Sequence, residues 1–351
     1  MAEDNFDPFE EDYASVDHQP RVRQPYASTS TQARPTSRLR SFLPSFSFSR
    51  NGLVLIGKAA LVALFILAYP IMTVMSHQIN DSQVVFDDKR YWAVSDIGVT
   101  SILIGRELDG PGWVSDRHPW HPQARLTALP AWQESLLTCL ADHGRLVISE
   151  LDTLRDQDLI AAVRLLEPSG QQNMRDRLIA ASEALARYDD RVAGGVAASP
   201  SGLTTMVARL NLSGGWADQN HARLVDIASP GDGWVASREA IEAVYAAKAA
   251  AHVAHEILAN AAQNEPTLLA NHQADAAMQD ALAKWRRAAK ISPLFISNQS
   301  GDGMSGLSHP AIMAFHLSQA RLANQVLIAQ LQKPVKEMAP ETAEEIARLE
   351  E

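Results

Sequence analysis

Four side chains on one alanine-rich stretch carry the densest chemistry in this chain: Tyr245, Lys248, His252 and Glu256, at steps of three, four and four. On a helix these steps stack all four on one face. A phenol, an ammonium, an imidazole and a carboxylate then share one polar line, the parts of an acid–base relay or a ligand site. His255 stands beside Glu256, so two imidazoles lie close together, and with a ligand such as His272 they could share a zinc-like metal. The pattern is neither HExxH nor HxxEH, and spacing fixes no third ligand. No metal or cofactor is therefore assigned. A metal-dependent hydrolase using His252, His255 and Glu256 stands as the alternative function. The same line also reads as a solvated face, or as a hydrogen-bonded network inside a bundle.

Other constellations are weaker. Arg117-His118-Pro119-Trp120-His121-Pro122 places His118, Trp120 and His121 in one loop, which can hold a ligand or partner or pin aromatic rings onto a helical body. Cys139 and His143 lie four apart, but a thiolate nucleophile needs an exposed, electropositive setting, and the surrounding leucines predict a buried, inert thiol. Gly301-Asp302-Gly303-Met304-Ser305-Gly306 spells GxGxxG. A dinucleotide fingerprint needs a strand before it, a βαβ unit around it and an acid some twenty residues on. Residues 291–297 have strand-like composition, but residues 317–336 hold no acid. The glycines read as a loop between helices. There is no GK[ST] and no GxSxG.

The elements that position these residues read as helix after helix. Residues 88–108 place Val94, Ile97, Ile104 and Leu108 on one face, and Ser95, Gly98 and Gly105 on a second, small enough for close helix approach. A helix entering at Pro130 carries Trp132, Leu136, Leu140, His143, Val147, Leu151 and Leu154. After Pro168, Met174, Leu178, Ala181, Leu185, Tyr188 and Val192 repeat the same steps until Gly194, Gly195 and Pro200. Residues 203–228 resume the pattern, weakened at Ser213-Gly214-Gly215, and Pro230-Gly231-Asp232-Gly233 breaks it. Residues 236–262, 266–289 and 309–332 complete the series. The last of these is apolar on more than one face, which predicts a central position; Ser308 and Pro310 mark its start.

Before the helices stands LVLIGKAALVALFILAYPIMTVM, residues 53–75, with Lys58 its one charge. At about 1.5 Å per residue it is long enough to cross about 30 Å of hydrocarbon. Arg34, Arg38, Arg40 and Arg50 precede it and Asp81, Asp87 and Asp88 follow, which predicts a cytoplasmic N-terminus and an outward-facing C-terminal body. Residues 1–20 hold seven acids and no Lys or Arg, whereas residues 21–50 hold six Arg and no acid. That composition predicts disorder. The net charge of −10 argues against a nucleic-acid partner. The single cysteine excludes an intramolecular disulfide and any CxxC metal site.

From about Trp92 to Leu331 the order of features resembles a bacterial family known as domain of unknown function 2333. Ile97-Gly98-Val99-Thr100, Gly112-Trp113-Val114-Ser115-Asp116, Leu185-Ala186-Arg187-Tyr188 and Ser308-His309-Pro310 carry the likeness. The resemblance implies one N-terminal span, a helical domain and a proteobacterial inner membrane; it supplies no catalytic residues. The expectation is an all-α protein: a tail over residues 1–50, a single transmembrane helix over 51–77, a multi-helix periplasmic bundle over 78–332, and an acidic tail over 333–351. Its expected partners are the lipid bilayer and another envelope protein, for which it acts as an interaction or scaffold protein.

Overall fold

The computed structural model describes residues 57–64, 79–86, 90–151, 154–167, 173–229, 236–292, 296–299 and 308–334. The tail of residues 1–50, most of the apolar stretch, the Pro230–Gly233 break, the Gly301–Gly306 loop and the acidic end after residue 334 lie outside them. The chain divides into two units, Met1–Lys58 and Ala59–Glu351, and the helices predicted beyond the apolar stretch all belong to the second. Residues 57–64 are helical. Among the described residues, no helix is long and apolar enough to cross a membrane.

The body is an all-α bundle. Its helices are α1 (Ser95–Asp109), α2 (Ala128–Glu150), α3 (Gln157–Leu166), α4 (Met174–Ala193), α5 (Leu203–Ala228), α6 (Arg238–Asn264), α7 (Pro266–Asn271), α8 (Asp275–Ala289) and α9 (His309–Leu331). No strand forms among the described residues; Asn298 and Ser308 make an isolated bridge. Local chemistry sets the boundaries. Asp156 caps α3 by accepting from the Asp158 and Leu159 amides, and Ser237 and Ser308 cap α6 and α9 in the same way. Gly194 follows α4, and Gly195 then adopts φ 70°.

Four expectations need correction. The pattern predicted through Leu154 stops at Glu150, and the separate helix α3 follows, with Leu154 exposed. Residues 266–289 are two helices, parted where Gln273 takes φ 51°. The Ser213-Gly214-Gly215 stretch does not weaken α5, because buried Ser213 folds its hydroxyl back onto the Arg209 and Leu210 carbonyls. The central helix is α6, not α9. Every residue of α6 from Ala247 to Ala261 is buried, whereas α9 leaves Phe315, Leu322 and Val326 exposed. Alanine explains this: short side chains let α1, α2, α5, α8 and α9 all pack against one helix.

The core aligns as the spacing predicts. Trp132, Leu136 and Leu140 of α2 and Leu178, Leu185 and Tyr188 of α4 are fully buried. At Gly144 an added Cβ would lie 2.5 Å from Val163 Cγ2, so that glycine sets the α2–α3 approach. The small face of α1 serves differently from expectation. An added Cβ at Gly98 would lie 2.7 Å from both Phe86 and Trp92, so Gly98 admits the chain's own preceding segment rather than another helix.

Candidate functional site

The polar line of α6 is neither solvated nor open. Residues 79–86 run without regular secondary structure and bond to three helices as a strap. Asp81 Oδ2 lies 2.8 Å from Lys248 Nζ of α6, and Asp81 Oδ1 lies 2.9 Å from Lys290 Nζ just past α8. Arg106 of α1 donates to the Ser82 and Gln83 carbonyls at 2.7 and 2.8 Å. The Val84 amide donates to Glu256 Oε2 of α6 at 2.8 Å. Two residues of the predicted line, Lys248 and Glu256, thus hold the chain's own segment.

Lys248 is 2% exposed and completes its shell by donating to the Ile291 carbonyl at 3.0 Å and to the Ser292 hydroxyl. Burial lowers its pKa, against the pull of Asp81. Burial pushes Asp81 up, but the Lys248 and Lys290 ammoniums outweigh it and hold the carboxyl below its ordinary range. Glu256 behaves alike: burial raises it, while His255, the Val84 amide and His252 bring it lower.

The two imidazoles converge on Glu256. His255 Nδ1 lies 3.0 Å from Glu256 Oε1, and His252 Nδ1 lies 3.9 Å from the same oxygen. His252 stacks on Trp132 with ring centroids 5.6 Å apart, and its Nε2 is buried with no hydrogen bond. Burial drops its pKa to about 4, so it is neutral at pH 7. Beneath it the Trp132 indole donates to Glu107 Oε1 at 2.9 Å, and Gln133 donates to Glu107 Oε2 at 2.8 Å. Tyr245 is buried farther along α6, where burial raises its phenol pKa.

The remaining candidates stand elsewhere. His272 follows α7, accepts from Gln330 through its carbonyl, and leaves Nδ1 buried without a partner. Among the described residues, no three His, Cys, Asp or Glu side chains stand together as a metal site. His118 accepts from the Trp120 amide, and His121 caps a 3-10 turn by accepting from the Gln123 amide at 3.2 Å. Trp120 projects into solvent, 75% exposed, so the loop does not pin its ring onto the bundle. Cys139 is buried and its thiol is pushed up by burial.

Sequence reasoning missed the strap and a second buried network. Asp96 of α1 pairs with Arg209 of α5, accepts from Asn260 of α6 at 2.5 Å, and lies 3.6 Å from His143 Nε2 of α2. Burial pushes the Asp96 carboxyl up, but His143, Arg209 and Asn260 hold it below its ordinary value. One carboxylate thus joins four helices. Asn324 of α9 extends a similar role, donating to Ser213 and accepting from Trp285.

Scans of the chain against protein-family models, curated proteins and solved structures returned no match.

Proposed function

We propose that the chain is a single-pass membrane protein of a bacterial inner membrane, whose helical bundle faces the periplasm and acts by binding another envelope protein. One observation carries this reading: within four residues, Asp81 to Val84, the segment that follows the apolar stretch is tied to α1, α6 and the end of α8. A strap of this kind ties the chain that follows the apolar stretch to the bundle. It also occupies the side chains that a relay would need free. Trp120, and the outward stripe of Phe315, Leu322 and Val326 at steps of seven and four, supply apolar surface for a partner. The likeness to domain of unknown function 2333 supports the same location.

The test has two arms. A phosphatase that works only outside the cytoplasm, fused after Glu351, is active, and the protein resists carbonate extraction; activity confined to a cytoplasmic reporter refutes the topology. A photo-crosslinker placed at Trp120 or Phe315 captures the same envelope protein reproducibly. Failure to capture one from intact membranes refutes the scaffold role. For the metal-dependent hydrolase, purified protein holding less than about a tenth of an equivalent of transition metal ends the proposal.

A further inference from the structure

A groove of about 380 Å³ runs between α6 and α8, beside the strap. The scaffold role leaves it unused. Gln83 of the strap, His255 and Gln263 of α6, and Gln279 and Arg286 of α8 line it, over a floor that includes Ala259.

His255 is 6% exposed, yet it reaches the groove wall. Its Nδ1 faces Glu256 Oε1 at 3.0 Å. Glu256 is ionised at neutral pH and can only accept, so His255 Nδ1 carries the proton and donates. In the neutral ring with its proton on Nδ1, the second ring nitrogen, Nε2, is an acceptor, and the contact with Glu256 uses Nδ1 alone. Arg286 is exposed and forms no ion pair among the described residues. The side chains of Gln83, Gln263 and Gln279 likewise make no hydrogen bond there. Each carboxamide offers both a donor and an acceptor.

This set selects a ligand chemistry. One guanidinium suits a carboxylate, which it can hold bidentately. A fixed imidazole acceptor suits an N–H donor. Glutamine carboxamides match the paired donor and acceptor of a peptide unit. A phosphate would meet one cation beside a fixed acceptor, a poor fit to a dianion. A saccharide would want a broad aromatic platform, and no Phe, Tyr or Trp lines this groove.

We propose that the groove binds an N-acylated amino acid carboxylate, as found at the C-terminal end of a peptide. The carboxylate lies on Arg286, the adjoining amide N–H donates to His255 Nε2, and preceding peptide units pair with the glutamines.

The probe is N-acetyl-alanyl-alanine, with its C-terminal amide as control, titrated calorimetrically into the full-length protein in lipid nanodiscs. The acid binds saturably, and the amide binds at least about tenfold more weakly. Arg286→Gln weakens the acid by at least about tenfold and Gln279→Ala by about threefold. Both residues are exposed, so unchanged urea unfolding confirms that each variant folds. Four results overturn the proposal: no saturation of the acid by about 10 mM, equal affinity for acid and amide, an affinity untouched by Arg286→Gln, or tighter binding of inorganic phosphate. None of these bears on membrane topology, so this site and the scaffold reading fail separately.

Discussion

Replacing Asp81 with alanine removes the charge that joins the strap to Lys248 and Lys290. Deleting one partner of a buried ion pair costs about 3–5 kcal/mol, because the other charge stays buried and unpaired. Two features reduce that figure here. Lys248 keeps the Ile291 carbonyl and the Ser292 hydroxyl, and the Asp81 side chain is 22% exposed. The Lys290 side chain is 47% exposed, so its pair adds less than about 1 kcal/mol. The expected loss for Asp81→Ala is about 2–3 kcal/mol, measured by urea unfolding, with faster thermolysin cleavage within residues 79–86. Lys248→Met, added to Asp81→Ala, removes the stranded ammonium and restores at least about half of the loss. The reasoning fails if Asp81→Ala lies within about 0.5 kcal/mol of the parent and the strap stays protected. It fails equally if the two substitutions are simply additive.

Further outcomes rest on the same contacts. His252 binds a proton near 6.5 when unfolded but only at about 4 when folded, so its contribution is complete above pH 6.5 and is lost as pH falls toward 4. The slope approaches about 1.4 kcal/mol per pH unit, urea titrations from pH 7.5 to 4.5 measure it, and His252→Gln flattens it. Below that window Glu256, Asp81 and Asp96 add further losses, since their folded pKa values lie under their ordinary 4.5, 3.8 and 3.8. Gly98→Ala drives a methyl into Phe86 and Trp92 and costs about 1–3 kcal/mol with loosening of the strap; an equally protected strap in limited proteolysis contradicts it. Cys139, buried with a raised thiol pKa, alkylates roughly a hundredfold more slowly in the native protein than in urea, as mass spectrometry of iodoacetamide-treated samples can show.

Much of the fold was legible because long amphipathic helices announce themselves by period. The steps from Trp132 to Val147 and from Met174 to Tyr188 map directly onto buried faces. Short or broken elements were harder to read. The ten residues of α3 hide between two long patterns, and the turn at Gln273 uses a positive φ without a glycine to signal it. Alanine misled in the other direction, since a thin stripe reads as weakly apolar but allows burial on every side of α6. The site was half visible. Helical spacing brought out Lys248, His252 and Glu256, but Val84, which donates to Glu256, lies 172 residues away in a segment without periodicity. Spacing rules do not reach contacts of that range. The same limit concealed Asp96, whose acidic side chain on an apolar helix gives no sign of Arg209 or His143.

The strap also fixes how the protein meets mechanical load. Tension applied at Ile79 reaches Asp81 first, then the Ser82 and Gln83 carbonyls, and last the Val84 amide, the order in which they meet Lys248, Arg106 and Glu256. Bonds loaded one after another yield as a zip does, in steps and at modest force. A pull applied from the chain before Ile79 would therefore peel this segment away while the helices behind it stayed intact, and the same contacts could close again once the pull relaxed.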